Sequence, residues 1–562
     1  MKKSKAKSSA SSAKKQDRAA ILDSLDNPDD KLRMEGCSSI ASKFEPRTGE
    51  NHELELSVQK EILRLSKDGM FPLLIKCAMD KHAIVRLSAI GALRNISLTG
   101  GEKAMAYMQQ ADSWSALVLA VEQGDPAHVE MDLAIKRESL RVMDSLCENS
   151  SAVAEKRLPD SLEKLATPCF LHSNVRPHVL ESATKLLFRA TQGNVPLGQA
   201  MSTTEAGKQI GLKLEHLAQF TQPDSVLTSA YAFGTLVNLC LVSQLQSLPQ
   251  LLTNWLGNIQ RDLFHPNACQ LPHLADDAQV LLDATDLEEN DMEENGKVKL
   301  ESTLLQQWLD RVQAQTIVLE VLTELLQVEN AQSLLMPLRE QNWLGVCMQF
   351  CGEVWNRETV GPNTLLFPIA KLQQSAAECA AACIDQDFPL PNNSYFSLVQ
   401  VMGQITLHRE INDRMIAFTN CLLAISRKQP VIAPQLLLDQ LVLIQTKCPI
   451  IPVRALMAHC LAKMSCPLVQ IGTLLIQSAK EDTSLVVVCE VIDVLLDLFA
   501  EDAAQPMVTQ LCADEMFQQF VSRFDRRFME WKRTSGDDNE DGEKMYEVRE
   551  NAQSFVQWRR SL

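Results

Sequence analysis

The sequence predicts a solenoid of stacked α-helices, and three observations predict it. Glycine is scarce, at 21 of 562 residues, about half the usual ~7%, and aromatics make up only 5% with four Tyr. The turns and strands of a sheet protein therefore have little to be built from. From about Ala19 onward, apolar residues recur at i, i+3, i+4 and i+7, the spacing that gives a helix one buried face. Finally, one helix design returns hundreds of residues apart, which separate helical bundles do not require. A hydrophobic content of 46% supplies sizeable cores and excludes disorder over the whole chain.

Taken in order, residues 1–18 hold seven Lys/Arg and one Asp among Ser and Ala. Such a composition buries no core and predicts a disordered basic tail. The repeating design follows: a polar or Pro-containing break, a Val-Arg or Leu-Arg pair, then an apolar stripe with small residues where another helix must approach. Its clearest copy runs from His82 to Ser97. Superposing Arg86 on Arg33 puts Ala89 over Gly36 and Leu93 over Ile40, and superposing it on Arg454 puts Leu93 over Leu461. Looser relatives begin at Asn174, Val226, Ala314, Leu372 and Ser484. A helical unit of this kind buries its apolar face only when a neighbour stacks on it. At ~40–47 residues per HEAT or armadillo unit the chain has room for roughly twelve. The predicted fold is thus an armadillo/HEAT-type α-solenoid.

Two insertions interrupt it. Between positions 283 and 294 lie seven acids and no base: Asp283, Asp286, Glu288, Glu289, Asp291, Glu293 and Glu294. This reads as a charged, flexible loop. It divides the chain into an armadillo-like array at 19–275, a loop at 276–298, and a HEAT-like array at 299–562 that ends in a capping helix. The second insertion, 535–544, reads as a shorter loop before that last helix.

The net charge is 54 − 71 = −17, which argues against sequence-independent binding of nucleic acid and favours a basic partner. The 16 Cys read as small core hydrophobes in a reducing compartment, since Cys240, Cys379, Cys383, Cys460 and Cys489 sit in apolar helical runs. Cys347/Cys351 and Cys379/Cys383 have three intervening residues rather than two and no matching partner pair close in sequence, so no zinc site is expected. The basic start has no apolar core, and no run of about 20 apolar residues occurs, so neither secretion nor membrane spanning is expected. No phosphate loop, dinucleotide fingerprint, zinc-protease helix or serine elbow is present, and the ten His are scattered singly. Neither enzymatic activity nor a cofactor is expected.

Three features suggest binding, each beside a plainer reading. Asn95 and Asn238 both stand four residues after a Gly on a late turn of a repeat helix. In an armadillo superhelix that position faces the groove, where an amide can donate to and accept from the main chain of an extended peptide. The plainer reading is an exposed Asn or a local cap. The acidic loop reads either as a solvated spacer or as a mobile anionic surface for Lys/Arg-rich cargo. Lys2 and Lys3, then Lys14, Lys15 and Arg18, have the two-cluster spacing of a nuclear localisation signal. The alternative is a solubilising tail.

The arrangement resembles the symportins, HEAT-repeat adaptors that carry ribosomal proteins into the nucleus. The resemblance rests on the basic start, the early repeat at Val85–Ser97, the acidic insertion between two arrays, the helix from Ala314 soon after it, the run from Glu490 to Asp502, and the terminal helix from Val548. It implies binding of the two large-subunit ribosomal proteins that accompany 5S ribosomal RNA, one held by an extended segment in the groove with Asn95 and Asn238, the other with help from the acidic loop. It also implies a nuclear import receptor as partner and shuttling between cytoplasm and nucleus. The family's Pro-Tyr import signal is missing from this sequence, which favours the importin-α route for the two-cluster tail. Two other classes stay open: a helical-repeat scaffold of a cytoplasmic complex, and a general import receptor.

Overall fold

The computed structural model describes residues 18–46, 52–124, 128–172, 175–220, 225–242, 248–264, 294–328, 332–352, 363–391, 394–408, 413–428, 435–464, 467–500, 505–535 and 539–561. Among these residues the elements are helices, with no strand. The chain divides into two compact units, Met1–Leu263 and Phe264–Leu562.

In the first unit, α1 (residues 18–25) leads into α2 (Asp30–Lys43). Sets of three helices follow: α3 (His52–Lys67), α4 (Met70–Ala78) and α5 (Ala83–Thr99), then α6 (Gly101–Gln110), α7 (Ser113–Glu122) and α8 (Val129–Glu148). Next, α9 (Ser151–Ala166) passes through a π-helical turn at Thr167–Leu171 into α10 (Pro177–Thr191). Then come α11 (Val195–Thr203), α12 (Glu205–Leu217), α13 (Val226–Val242) and α14 (Leu248–Asp262). The last helices of successive sets pack in one row, α2 on α5 on α8 on α10 on α13, while α4, α7, α9 and α12 pack in a second row. This is the three-helix stacking of an armadillo array.

The second unit contains α15 (Glu294–Leu326), α16 (Gln332–Glu340), α17 (Trp343–Gly352), α18 (Asn363–Asp385), α19 (Ser394–His408), α20 (Asp413–Lys428), α21 (Gln435–Lys447), α22 (Ile451–Ala462), α23 (Leu468–Glu481), α24 (Leu485–Phe499), α25 (Gln505–Gln510), α26 (Ala513–Ser535) and α27 (Asn539–Ser561). Here two helices suffice per repeat. One row runs α15, α18, α20, α22, α24, α27, and the other α17, α19, α21, α23, α26. Ala376, Ala377 and Ala380 on α18 are fully buried, and their small side chains let α15 and α20 approach it closely.

Local chemistry sets the corners. The Asp29 carboxylate accepts from the Lys31 amide, and Asn194 and Thr204 cap α11 and α12 in the same manner. Asp112, Asn342 and Cys512, each in the left-handed region, turn the chain between adjacent helices. Gly207 is required where α12 crosses α11, because a Cβ there would lie 2.5 Å from the Met201 main chain.

The recurring Arg now has a cause. Arg33, Arg86 and Arg454 each turn a guanidinium back to the carbonyl six residues earlier: Asn27 at 2.9 Å, Asp80 at 2.9 Å and Cys448 at 2.7 Å. Arg33 and Arg454 also reach a carboxylate in the next repeat, Asp80 at 2.7 Å and Asp482 at 2.9 Å. Those carboxylates in turn accept from the amides of His82 and Ser484, just before the following helix. Only a planar fork satisfies a helix-end carbonyl and a neighbouring carboxylate together. The motif is an inter-repeat latch.

The second insertion differs from expectation. α26 runs to Ser535 and α27 already begins at Asn539, so most of the segment is helix. The physical reason lies in its packing: Gly542 sits against the rings of Phe528 and Trp531, and Lys544 binds Glu490 at 2.5 Å. At the first insertion, α15 begins at Glu294, inside the span read as loop, and Asp283 to Glu293 lie outside the described residues. At the start of the chain, Arg18 opens α1 rather than closing the tail.

Candidate functional site

The candidate binding surface of the first unit is the side of the row α2, α5, α8, α10 against which no other helix packs among the described residues. On α5 the less buried positions are Ile84, Leu87, Ser88, Gly91, Arg94, Asn95, Leu98 and Thr99, one stripe at helical spacing. A Cβ on Gly91 would meet nothing within 4 Å, so the stripe is open to solvent at its centre.

Both candidate groove amides are engaged within the fold. Asn95 Nδ2 donates to the Ala41 carbonyl on α2 at 2.9 Å, and Asn238 Nδ2 donates to the Phe188 carbonyl on α10 at 3.3 Å, with the Thr191 hydroxyl 3.4 Å away. Each therefore ties its helix to the preceding one in the row, the same role in two repeats. Asn95 remains partly exposed, while Asn238 is 4% exposed and would have to turn away from Phe188 to meet a peptide.

Beside Asn95 lies a charge cluster that sequence reading did not single out. Glu138 on α8 is buried, and three arginines converge on its carboxylate: Arg94 from α5 at 3.3 Å, Arg137 at 2.9 Å and Arg141 at 3.1 Å. One repeat further, Asp144 is flanked by Lys185 and Arg189 of α10, each at 3.4 Å, and Arg189 also pairs with Glu148. Burial pushes the Asp144 carboxyl above the ordinary range, against the pull of the two cations. A hint was present in the sequence, since Arg94 adjoins Asn95 in the best-defined repeat. The partner carboxylate, 44 positions on, was not predictable from spacing.

The acidic residues Asp283, Asp286, Glu288, Glu289, Asp291 and Glu293, and the tail residues Lys2, Lys3, Lys14 and Lys15, lie outside the described residues, and the Glu294 side chain is likewise undescribed. Arg18 is placed: its guanidinium lies 3.3 Å from Glu61 of α3 and 3.8 Å from Asp68 just after it. It anchors α1 and is thereby set apart from the lysines of the tail.

The second unit brings together what the sequence kept apart. Cys347 and Cys351 of α17 face Cys379 and Cys383 of α18, all fully buried, with Cys421 of α20 beyond them. Spacing along the chain concealed this because the two pairs meet only through helix packing. Burial pushes the Cys351 thiol well above its ordinary range and that of Cys421 up to about 12. Among the described residues no group of three or more His, Cys, Asp or Glu is arranged to hold a metal ion, and the thiols act there as small apolar side chains. No helix among the described residues is long and apolar enough to cross a membrane.

Residues 398–562, from α19 to the end of the chain, match the family model of SYO1-like TPR repeats. The likeness to the SYO1-like family is shown for this C-terminal region. The symportin resemblance is thus supported there. No curated protein sequence matches the chain. Among solved structures, similar ones include an engineered protein at 14% identity, covering 96% of this chain and 99% of that one with a TM-score of 0.40. Another is Kap121p at 11% identity, covering 96% of this chain and 57% of that one with a TM-score of 0.44. A third is a chain from work on the interaction between cadherin and beta-catenin, at 11% identity, with coverage of 96% and 95% and a TM-score of 0.33.

Proposed function

We propose that this chain is a non-enzymatic transport adaptor that binds newly made, basic ribosomal proteins of the large subunit, the pair accompanying 5S ribosomal RNA, and escorts them into the nucleus. The observation that carries this reading is the SYO1-like match over residues 398–562, set on a chain whose motifs resemble the symportins in order over most of its length. In this reading Asp283 to Glu294 form the anionic surface for cargo, because seven carboxylates on one short segment attract Lys/Arg-rich surfaces and speed encounter. Asn95 offers a partly exposed amide to an extended cargo segment, and Asn238 joins it on turning from Phe188.

Pull-downs with the full chain at low and high salt test the proposal. Retention of the two 5S-associated ribosomal proteins at low salt, weakened at high salt, is the expected result; failure to retain either at low salt sinks it. A cytoplasmic scaffold would instead give a stable stoichiometric assembly and no nuclear accumulation when export is blocked.

The address is assigned to the tail, with an import receptor of the importin-α route as partner. Because Arg18 is paired with Glu61 and Asp68, the clean test is Lys14→Ala with Lys15→Ala. Nuclear entry is expected to stop while cargo retention is unchanged, and unaltered localisation refutes the assignment.

A further inference from the structure

Three guanidinium groups share the carboxylate of Glu138, and the balance of donors and acceptors is lopsided. Arg94, Arg137 and Arg141 are 40%, 38% and 42% exposed, whereas the Glu138 side chain beneath them is 10% exposed. Each guanidinium carries about five N–H donors, and one carboxylate offers about four lone-pair sites. Three cations against one anion leave a local excess of two positive charges on a face whose chain as a whole is strongly acidic. Glu138 draws the three heads together, so their mutual repulsion is offset at the unliganded stage while each side chain stays about two-fifths exposed. Beyond the adaptor reading, and independent of it, we propose that this triad on the open side of α5 and α8 is a binding site for an oxyanion side chain of an extended acidic peptide.

Three neighbouring features fit a peptide rather than a free ion. Gly91 leaves clear space one turn from Arg94, so a main chain can pass close to α5. Asn95, partly exposed, adjoins Arg94 on the same stripe. Lys185 and Arg189 continue the cationic surface onto α10, although there Asp144 and Glu148 answer them. A guanidinium fork takes a carboxylate or a phosphate in the same bidentate geometry, so Asp/Glu and phosphoserine side chains are the two sources of the oxyanion. Lys or Arg placed directly over the triad is repelled, so a cargo segment that reaches Asn95 carries neither at that position. The triad therefore takes a different class of segment from the Lys/Arg-rich cargo assigned to the acidic loop.

The test is fluorescence anisotropy with the full chain, titrated into a fluorescein-labelled oligoglutamate, a matching phosphoserine peptide and an oligouridylate at low salt. Saturable binding of the oligoglutamate is expected, weakened about tenfold by Arg137→Gln with Arg141→Gln. Glu138→Gln is expected to tighten it several-fold, since the shared carboxylate competes with the ligand. If the arginine variant loses its helical circular dichroism, Glu138→Gln alone decides, because it removes a buried charge instead of stranding one. Tighter binding of the phosphoserine peptide with the same dependence on both variants supports the site and names phosphate as the source. No binding of either peptide, binding indifferent to both variants, or Glu138→Gln weakening it in a folded chain overturns the proposal. So does oligouridylate binding as tightly as the peptides and through the same arginines.

Discussion

Replacing Arg454 by Ala should loosen the C-terminal repeats by about 2–4 kcal/mol. The guanidinium makes a two-point contact with Asp482 at 2.9 and 3.3 Å and a bond to the Cys448 carbonyl at 2.7 Å. Its side chain is 13% exposed and that of Asp482 is 9% exposed. Hydrogen bonds to charged groups contribute about 1.5–3 kcal/mol each net, and breaking a buried pair costs about 3–5 kcal/mol. The lower figure applies because Asp482 keeps the Ser484 amide as donor at 2.8 Å. The chain has two compact units, so a single melting temperature would mix them, and native-state hydrogen exchange is the better assay. A loss of ~3 kcal/mol corresponds to exchange roughly a hundredfold faster in α22, α23 and α24, with the amides of α2 to α8 unchanged. Replacing Arg454 and Asp482 together by Leu should restore part of the loss, since no charge is then stranded. Less than a threefold change for Arg454→Ala, or equal acceleration throughout the chain, would refute the latch.

Other expectations follow the same reasoning. Asn238→Ala should cost about 1 kcal/mol, because a buried bond across the row is lost while the Phe188 carbonyl keeps the Thr191 hydroxyl as donor at 3.0 Å; exchange in α10 and α13 reads it, and an unchanged rate means the amide is dispensable to the row. The hydrogen bond from His459, then Lys544, pulls the Glu490 carboxyl down to about 2 from its ordinary 4.5. The stability this supplies is fully present above about pH 4.5 and is lost as pH falls toward 2. Acid unfolding of α27 should therefore be shallower in Glu490→Gln, and identical pH profiles would contradict the pairing. With burial holding Cys421 and Cys460 at about 12, alkylation of the native chain at mildly alkaline pH should modify exposed Cys512 and spare both. Labelling of Cys421 before unfolding would show that the thiol cluster opens in the native state.

Much of the fold was legible in the sequence because helical repeats are written locally. The 3.6-residue apolar spacing marked helices in the runs from His82, Val226, Leu372 and Ser484, and the Val-Arg or Leu-Arg opening marked the equivalent positions of Arg33, Arg86 and Arg454. The second insertion was misread, since acidic and polar residues from Ser535 to Lys544 look like a loop until Glu490 and the Phe528 ring are there to hold them. The candidate site was legible only in part. Asn95 and Asn238 were recognised as equivalent by their distance from a Gly, but their partners, Ala41 and Phe188, are chosen by how one repeat stacks on another.

The sequence by itself determined an all-helical chain of stacked repeats, an acidic segment between two arrays and a basic start, because period, composition and charge are properties of neighbours along the chain. Only the tertiary structure decided where the side chains meet. It bent each repeat Arg onto the carbonyl six residues back, gathered Arg94, Arg137 and Arg141 over Glu138, and set Cys347 and Cys351 against Cys379 and Cys383. Such meetings depend on the rotation and offset of packed helices, and a shift of one residue turns a side chain by about 100° around its axis. No pattern read along the chain specifies that angle; packing one apolar face against the next does.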